Sequence, residues 1–212
     1  MKRLTIRLAL LIVCALSINT AFAQDVRQKP VVKKQTTTTT TTKQTTTKKP
    51  ATSTKKNEKK AVMSIPEGTY IIRSCVDKNF VVDLNGSVTQ DGNNIHIWTN
   101  NNTAAQKWIV RYSNGAIIIR SAVNSNYVID LNGSVAQDGN NIHIWEFNGT
   151  DAQRWFPQYD NGAYIIRSAV NQNYVLDLNG SNTSDGNNIH IWPYNGTNAQ
   201  RWLFQRIDGG VH

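Results

Sequence analysis

From Asp83 to Trp108 the sequence reads DLNGSVTQDGNNIHIWTNNNTAAQKW, and closely related stretches run from Asp130 to Trp155 and from Asp177 to Trp202. Each stretch starts 47 residues after the previous one, without an insertion or a deletion. Such a period indicates one supersecondary unit used three times, in which each copy is too small to bury a core alone. The repeat therefore predicts one domain over residues 65–212.

Each copy contains four short apolar runs that are separated by turn residues. In the first copy they cover residues 70–73, 80–84, 95–98 and 106–112. Gly-rich turns supply the positive-φ positions for tight reversals, and no stretch has a helical period. The pattern predicts an all-β protein, a β-trefoil in which a short barrel is capped by hairpins. A three-bladed propeller has the same strand count, but about four blades is the usual minimum.

The N-terminal third of the chain differs in composition from the repeats. Residues 1–23 contain basic residues, an apolar run and Ala21-Phe22-Ala23, which is the order of a secretory signal peptide. The apolar run is roughly half the ~20 residues that a membrane span needs. Residues 24–64 are mostly Thr, Lys, Gln and Pro, which predicts a disordered linker. We therefore expect a secreted protein, with the periplasm or cell surface as alternatives.

The net charge of +9 is due to basic residues outside the predicted domain. Residues 24–64 hold eleven basic and two acidic residues, whereas residues 65–212 hold nine basic and twelve acidic residues. A nucleic-acid-binding domain would carry its basic residues on the folded face that meets phosphate. The distribution therefore argues against nucleic acid as a partner. It leaves open a contact between the basic linker and an anionic envelope or polymer.

One cysteine, Cys75, remains after removal of the predicted signal peptide, so an intramolecular disulfide cannot form. Its counterparts in the other copies are Ala122 and Ala169. A position that accepts alanine predicts a small buried side chain rather than a reactive thiol.

Alternation along the second and third strands predicts which side chains face outward. In the second strand Val81 and Asp83 are expected outside, because the larger apolar set should face the core. In the third strand His96 and Trp98 share the face opposite the two isoleucines. Each copy is thus predicted to present a carboxylate, an imidazole and an indole together. The counterparts are Asp130, His143 and Trp145 in the second copy and Asp177, His190 and Trp192 in the third.

These three groups suit a sugar. The C–H face of a sugar ring is weakly apolar and lies flat on an indole, whereas the ring hydroxyls need donors and acceptors at fixed angles. A carboxylate accepts from two adjacent hydroxyls, and an imidazole adds a donor. The pattern predicts up to three shallow carbohydrate sites that act by multivalent adhesion.

Each copy also ends in Gln-x-Trp, and the tripeptides begin at Gln106, Gln153 and Gln200. Three such tripeptides, each preceded by DLNGS or its equivalent and by DGNNIHIW, resemble the ricin B-chain type lectins. These are also called R-type lectins or family 13 carbohydrate-binding modules. The resemblance covers the predicted domain and none of the linker.

The resemblance implies a role for each repeated residue. Asp83 would receive sugar hydroxyls, Trp98 would stack on the ring, His96 stands where the family often has Gln, and Gln106 would steady the aspartate. Trp108, Trp155 and Trp202 would pack in the core. One departure concerns specificity, because galactose-binding copies often carry Asn where Ala105, Ala152 and Ala199 stand here. The loop residues Asn101, Asn148 and Asn195 either replace that amide or only form turns.

The same residues argue against other functions. Asp83 and Asp91 would be a glycosidase pair, but an Asx role in the turn explains Asp91. The three repeated histidines lie one per copy, and one carboxylate per site is poor provision for calcium, so no metal, cofactor or catalytic residue is expected. The remaining alternative is a protein-binding β-trefoil. Such proteins diversify their loops, whereas the outward residues here repeat as faithfully as the core, which favours a lectin.

Overall fold

The computed structural model describes residues 64–208, so the predicted signal peptide and nearly all of the predicted linker lie outside the described residues. Twelve β-strands occur within this range. They are β1 (Gly68–Ser74), β2 (Phe80–Leu84), β3 (Ile95–Thr99), β4 (Trp108–Ser113), β5 (Ala116–Ser121), β6 (Tyr127–Leu131), β7 (Ile142–Glu146), β8 (Trp155–Asp160), β9 (Ala163–Ser168), β10 (Tyr174–Leu178), β11 (Ile189–Pro193) and β12 (Trp202–Arg206). The described helices are short 3₁₀ turns.

Six strands close into a barrel. Each is antiparallel to the next in the order β1, β4, β5, β8, β9 and β12, and β12 returns to pair with β1. The other six form the hairpins β2–β3, β6–β7 and β10–β11, each joined to the barrel through its first strand. A closed barrel leaves no unpaired edge. The predicted β-trefoil is confirmed.

The turns between copies are two-residue hairpins, as the sequence predicts. Asn114 and Gly115 join β4 to β5 with φ angles of 49° and 80°. Two successive positive φ angles match the twist of the flanking strands. One predicted boundary is wrong, because Gln106 does not belong to the fourth strand. It ends the 3₁₀ turn Ala104–Gln106, and β4 begins at Trp108.

The Trp residues of the three Gln-x-Trp tripeptides are buried, in agreement with the core role that the resemblance implies. The Nε1 atoms of Trp108, Trp155 and Trp202 donate to the backbone oxygens of Val82, Ile129 and Leu176 at 3.0, 3.3 and 3.2 Å. Each indole therefore fills the core and satisfies its one donor. Each of these bonds also ties a barrel strand to the first strand of a hairpin.

Side chains of the three copies form hydrogen bonds with each other at the pseudo-threefold axis. The side chains of Asn94, Asn141 and Asn188 form a ring in which each amide nitrogen donates to the next amide oxygen at 2.9 Å. The turn that follows one hairpin strand also pairs with a strand of another copy, as in the 2.9 Å bond from Gly92 N to Ile144 O. One copy alone would leave these partly buried polar groups unpaired.

The predicted exposure of Val81 and the predicted burial of Cys75 are both wrong. Val81 and its counterparts Val128 and Val175 are fully buried instead of facing outward. Val81 lies beside Trp98 and Arg73 in the two flanking ladders, and cross-strand neighbours on one face cover each other. Cys75 is half-buried rather than buried. Partial burial raises the pKa of its thiol, although Arg201 opposes this effect.

Replacement of Trp108 tests whether its indole both fills the core and donates a hydrogen bond to Val82. We expect Trp108→Ala to lower the free energy of unfolding by about 3–5 kcal/mol, because it leaves a cavity. Trp108→Phe should cost less, since it retains apolar volume but leaves the Val82 oxygen unpaired, a loss of about 1–3 kcal/mol. Equilibrium unfolding in urea measures both. A loss below about 1 kcal/mol for the alanine variant would contradict the assignment.

Candidate functional site

The predicted carboxylate and imidazole meet in every copy. Asp83 and His96 are directly opposite in the β2–β3 ladder, and His96 Nε2 lies 3.2 Å from Asp83 Oδ1. The equivalent distance is 3.1 Å in both of the other copies. The imidazole nitrogen and the carboxylate oxygen are thus within hydrogen-bonding distance in all three copies. The prediction that Asp83 and His96 are exposed is wrong, because Asp83 is only 6% and His96 only 7% exposed. They form the floor of a cavity.

The indole that follows the imidazole is at the surface, as alternation along the strand predicts. Trp98, Trp145 and Trp192 are 38%, 39% and 38% exposed. The ring centroids of His96 and Trp98 are 5.5 Å apart at a tilt of 32°, and the other copies have nearly the same separation. An exposed indole beside a recessed polar pair offers an apolar face and hydrogen-bonding groups to the same ligand.

A shallow cavity surrounds these groups in each copy. The volumes are about 360, 320 and 340 Å³ in chain order, within the usual range of small-ligand sites. In the first copy the 3₁₀ turn Asn85–Ser87 forms one wall. The residues of this wall are not among the predicted site residues. The repeated DLNGS motif was the available signal, since it places the turn directly after the site carboxylate.

The opposite wall is the loop that leads to the Gln-x-Trp tripeptide, and it includes Asn101, Thr103 and Ala105. Asn101 Oδ1 accepts from the backbone nitrogen and the hydroxyl of Thr103 at 3.0 and 2.7 Å. The Oδ1 atom of Asn101 therefore forms a turn, whereas the alternative that Asn101 replaces the missing amide concerns its Nδ2 atom. Its Nδ2 has no partner among residues 64–208 and remains at the cavity wall.

Gln106 supports the cavity, but not in the way that the resemblance implies. Its side chain is fully buried, accepts from the backbone nitrogens of Asn101 and Asn102 at 2.8 and 3.1 Å, and donates to the Thr99 oxygen at 3.0 Å. It makes no hydrogen bond to Asp83 within the described range. Gln153 and Gln200 repeat this arrangement. The three glutamines fix the loop wall and do not line the cavities, so the support of the aspartate that the resemblance implies is wrong.

Two of the three exposed indoles, those of Trp98 and Trp192, lie against a turn of another copy. An added Cβ at Gly186 of the third copy would lie 3.8 Å from Trp98 Cζ3. The neighbouring Asp185 accepts from the Thr99 backbone nitrogen and hydroxyl at 2.6 and 2.8 Å. The turn of the third copy therefore supports the indole of the first.

The aspartates equivalent to Asp185 in the other two copies accept hydrogen bonds from different partners. Asp91 Oδ1 accepts from the Glu146 nitrogen of the second copy at 2.8 Å, so the Asx role predicted for Asp91 is wrong. In the third copy Pro193 stands at the receiving position and has no N–H to donate. Asp138 accepts instead from the Tyr174 hydroxyl at 3.0 Å, and this bond raises the pKa of Tyr174.

Two further properties concern the part of the chain that the structure describes. Between residues 64 and 208 no three or more His, Cys, Asp or Glu side chains come together in a cluster suited to a metal ion. Within the same residues no helix has the length and apolar character to cross a bilayer.

The sequence model of the ricin-type beta-trefoil lectin domain matches residues 67–202. The match covers more than half of the chain, and it contains all three candidate sites. The chain therefore belongs to the ricin-type β-trefoil lectin domain family. A search of curated proteins finds no matching sequence.

Solved structures share the fold at low sequence identity. The designed threefold symmetric protein ThreeFoil is 22% identical, with a TM-score of 0.62 and coverage of 66% of this chain and 99% of that one. The Rhizoctonia solani agglutinin is 21% identical, with a TM-score of 0.62 and coverage of 68% and 99%. The Macrolepiota procera ricin B-like lectin, in complex with lactose, is 23% identical, with a TM-score of 0.58 and coverage of 68% and 99%.

The same fold also forms part of larger proteins. A match to a mosquitocidal holotoxin covers 68% of this chain but only 18% of the toxin chain, at 23% identity and a TM-score of 0.63. The similarity therefore concerns one module of that toxin.

The role of Gln106 can be tested by removal of its amide. We expect Gln106→Leu to lower the free energy of unfolding by about 1–3 kcal/mol, because the Asn101 and Asn102 nitrogens and the Thr99 oxygen lose their partner. The exposed Gln172, whose side chain has no hydrogen bond within residues 64–208, provides a matched control, since Gln172→Leu should stay within about 0.5 kcal/mol of the parent. Equal effects of the two changes in urea unfolding would show that Gln106 does not hold the loop.

Proposed function

We propose that this domain binds carbohydrate in its three cavities and releases it chemically unchanged. The observation that carries the proposal is the threefold repetition of one arrangement: a recessed Asp–His pair beside an exposed indole. The family assignment supports it, as does the bound lactose in the similar M. procera lectin. A repeated ligand, such as the sugar units of a glycan surface, is the partner that three equal cavities suit.

Each group in the first cavity has a distinct part in this proposal. Asp83 Oδ1 is engaged by His96, so Oδ2 accepts a sugar hydroxyl. The exposed face of Trp98 stacks on the C–H face of the ring. Asn101 Nδ2 supplies a donor close to Ala105, where galactose-binding relatives often carry Asn. The changed position of this amide implies a sugar preference that differs from that of those relatives.

Adhesion rather than tight single-site binding follows from the shape of the sites. A shallow cavity with a few hydrogen bonds is expected to hold one sugar with a dissociation constant on the order of 1 mM, or about 4 kcal/mol. Three such cavities on one rigid barrel raise the apparent affinity for a dense glycan surface by roughly 10²-fold. The cavities would thus act together on a surface and weakly in solution.

Binding without catalysis is the better proposal for the cavities. Glycoside hydrolysis uses a pair of carboxyl groups on either side of the scissile bond. The first cavity is lined by one carboxylate, that of Asp83, and Asp91 is engaged with the Glu146 nitrogen. We further propose that residues 1–23 direct export and that residues 24–64 tether the lectin domain.

The mature chain on a glycan array tests the function directly. We expect binding to a defined class of glycans. The combined changes Asp83→Asn, Asp130→Asn and Asp177→Asn should weaken it by at least about tenfold, because each cavity loses a charged acceptor worth about 1.5–3 kcal/mol.

The exposed Asp151 lies outside the cavities, so Asp151→Asn is the control and should bind as the parent does. Circular dichroism verifies that every variant is folded. Absence of binding to any glycan by the folded parent protein would contradict the proposal and favour the protein-binding alternative.

A further inference from the structure

A second cavity adjoins the candidate site of the first copy. It measures about 290 Å³ and is lined by residues of the loop between β2 and β3, among them Val88, Gln90 and Asp91. It shares Asn85 and Gly86 with the Asp83–His96–Trp98 cavity. A ligand that occupies the first cavity and extends past these shared residues would therefore reach the second.

The side chain of Asn93 makes two of the hydrogen bonds that hold the loop of the second cavity in place. Asn93 Nδ2 donates to the backbone oxygens of Asn85 and Val88 at 2.8 and 2.7 Å. The Asn93 nitrogen donates to the Gln90 oxygen at 3.0 Å and closes the turn. A ligand would not have to order this backbone, and preorganisation of this kind favours affinity.

The side chains in the second cavity repeat the chemistry of a sugar site in a weaker form. Val88 is 51% exposed and offers an apolar surface. Asp91 uses Oδ1 on the Glu146 nitrogen, and its Oδ2 has no partner within residues 64–208. The Gln90 amide is likewise unbonded within that range. An apolar contact beside a carboxylate and an amide matches a sugar ring better than an apolar or a strongly charged ligand.

We infer that the second cavity is a subsite for the next sugar of an oligosaccharide whose first sugar occupies the Asp83–His96–Trp98 cavity. The inference rests on the proposed function and refines it, because it names an oligosaccharide rather than a monosaccharide as the preferred ligand of the first copy. Val88 contacts the C–H face of the second sugar, and Gln90 and Asp91 bind its hydroxyls.

The third copy provides an internal comparison. Its loop has the same frame, since Asn187 Nδ2 donates to the Asn179 and Asn182 oxygens at 2.8 and 2.7 Å. However, Asn182 and Ser184 stand where the first copy has Val88 and Gln90. The backbone is thus preserved while the apolar surface and the longer amide are replaced. The third copy should bind a single sugar without the added gain from a second.

Site-resolved nuclear magnetic resonance of the full mature chain separates the copies, because the indole N–H signals of Trp98 and Trp192 report on different cavities. The probes are matched pairs: galactose and lactose, xylose and xylobiose, and N-acetylglucosamine and chitobiose. For a pair that binds, the gain in affinity from monosaccharide to disaccharide should be about 3- to 10-fold larger at Trp98 than at Trp192. One or two added hydrogen bonds give a gain of this size.

Exchange of the loop residues tests the assignment. The double change Val88→Asn and Gln90→Ser should reduce the gain at Trp98 to the value at Trp192, with the monosaccharide affinity unchanged. The reverse exchange, Asn182→Val and Ser184→Gln, should increase the gain at Trp192. Both variants use residues that the same loop frame already accepts in this chain, so each is expected to fold.

Two results would overturn the subsite in different ways. An equal gain at both indoles, or a gain that the exchanges leave unaltered, excludes the subsite but leaves the three primary cavities as sugar sites. Absence of any response at either indole to all six sugars, in a protein that also binds nothing on the glycan array, removes the proposed function together with the subsite.

Discussion

The buried indole of Trp108 joins the stability of the domain to the geometry of its first cavity. Its Nε1 donates to the oxygen of Val82, which directly precedes the site carboxylate Asp83. Two residues before Trp108, Gln106 holds the loop that forms one wall of the same cavity. The Gln-x-Trp tripeptide therefore fixes both the floor and the wall of the site while it fills the core. The same two positions do this in every copy, so the three cavities share the construction of their floor and of one wall.

The copies depend on each other as well. The asparagine ring on the pseudo-threefold axis satisfies each amide from a different copy. Asp185 of the third copy fixes Thr99 beside the indole of the first. Where Pro193 removes the equivalent N–H, Asp138 bonds to Tyr174 instead. Each cavity is lined by residues of one copy, but a turn of the third copy supports the residues beside the indole of the first.

Local chemistry was sufficient to predict the fold. The 47-residue period, the Asn-Gly and Asp-Gly turns and the alternating strands indicated twelve strands in three equal copies. Alternation also predicted that Asp83, His96 and Trp98 share one face, as the ladder between β2 and β3 shows. These features depend on residues that are close in sequence, so they can be inferred without coordinates.

The errors concern contacts that alternation along a single strand does not determine. Val81 is covered by neighbours on two other strands, and Asp83 and His96 are recessed by the walls around them. The partners of Gln106 and Asp91 follow from how the loop and the neighbouring copy pack. Alternation gives the side of a strand to which a residue points, but not what lies above it. The Asn85–Ser87 wall could have been predicted from the sequence, because its motif repeats directly after the carboxylate in every copy.

The central claim is that the exposed indoles serve binding, whereas the indoles of Gln-x-Trp serve the fold. The most direct measurement is the glycan binding and urea unfolding of a variant in which Trp98, Trp145 and Trp192 are all changed to Ala. The account predicts that glycan binding is lost while the protein remains folded with a cooperative transition, because more than a third of each removed side chain is exposed to solvent. An unfolded variant, or one that binds glycans as the parent does, would contradict it.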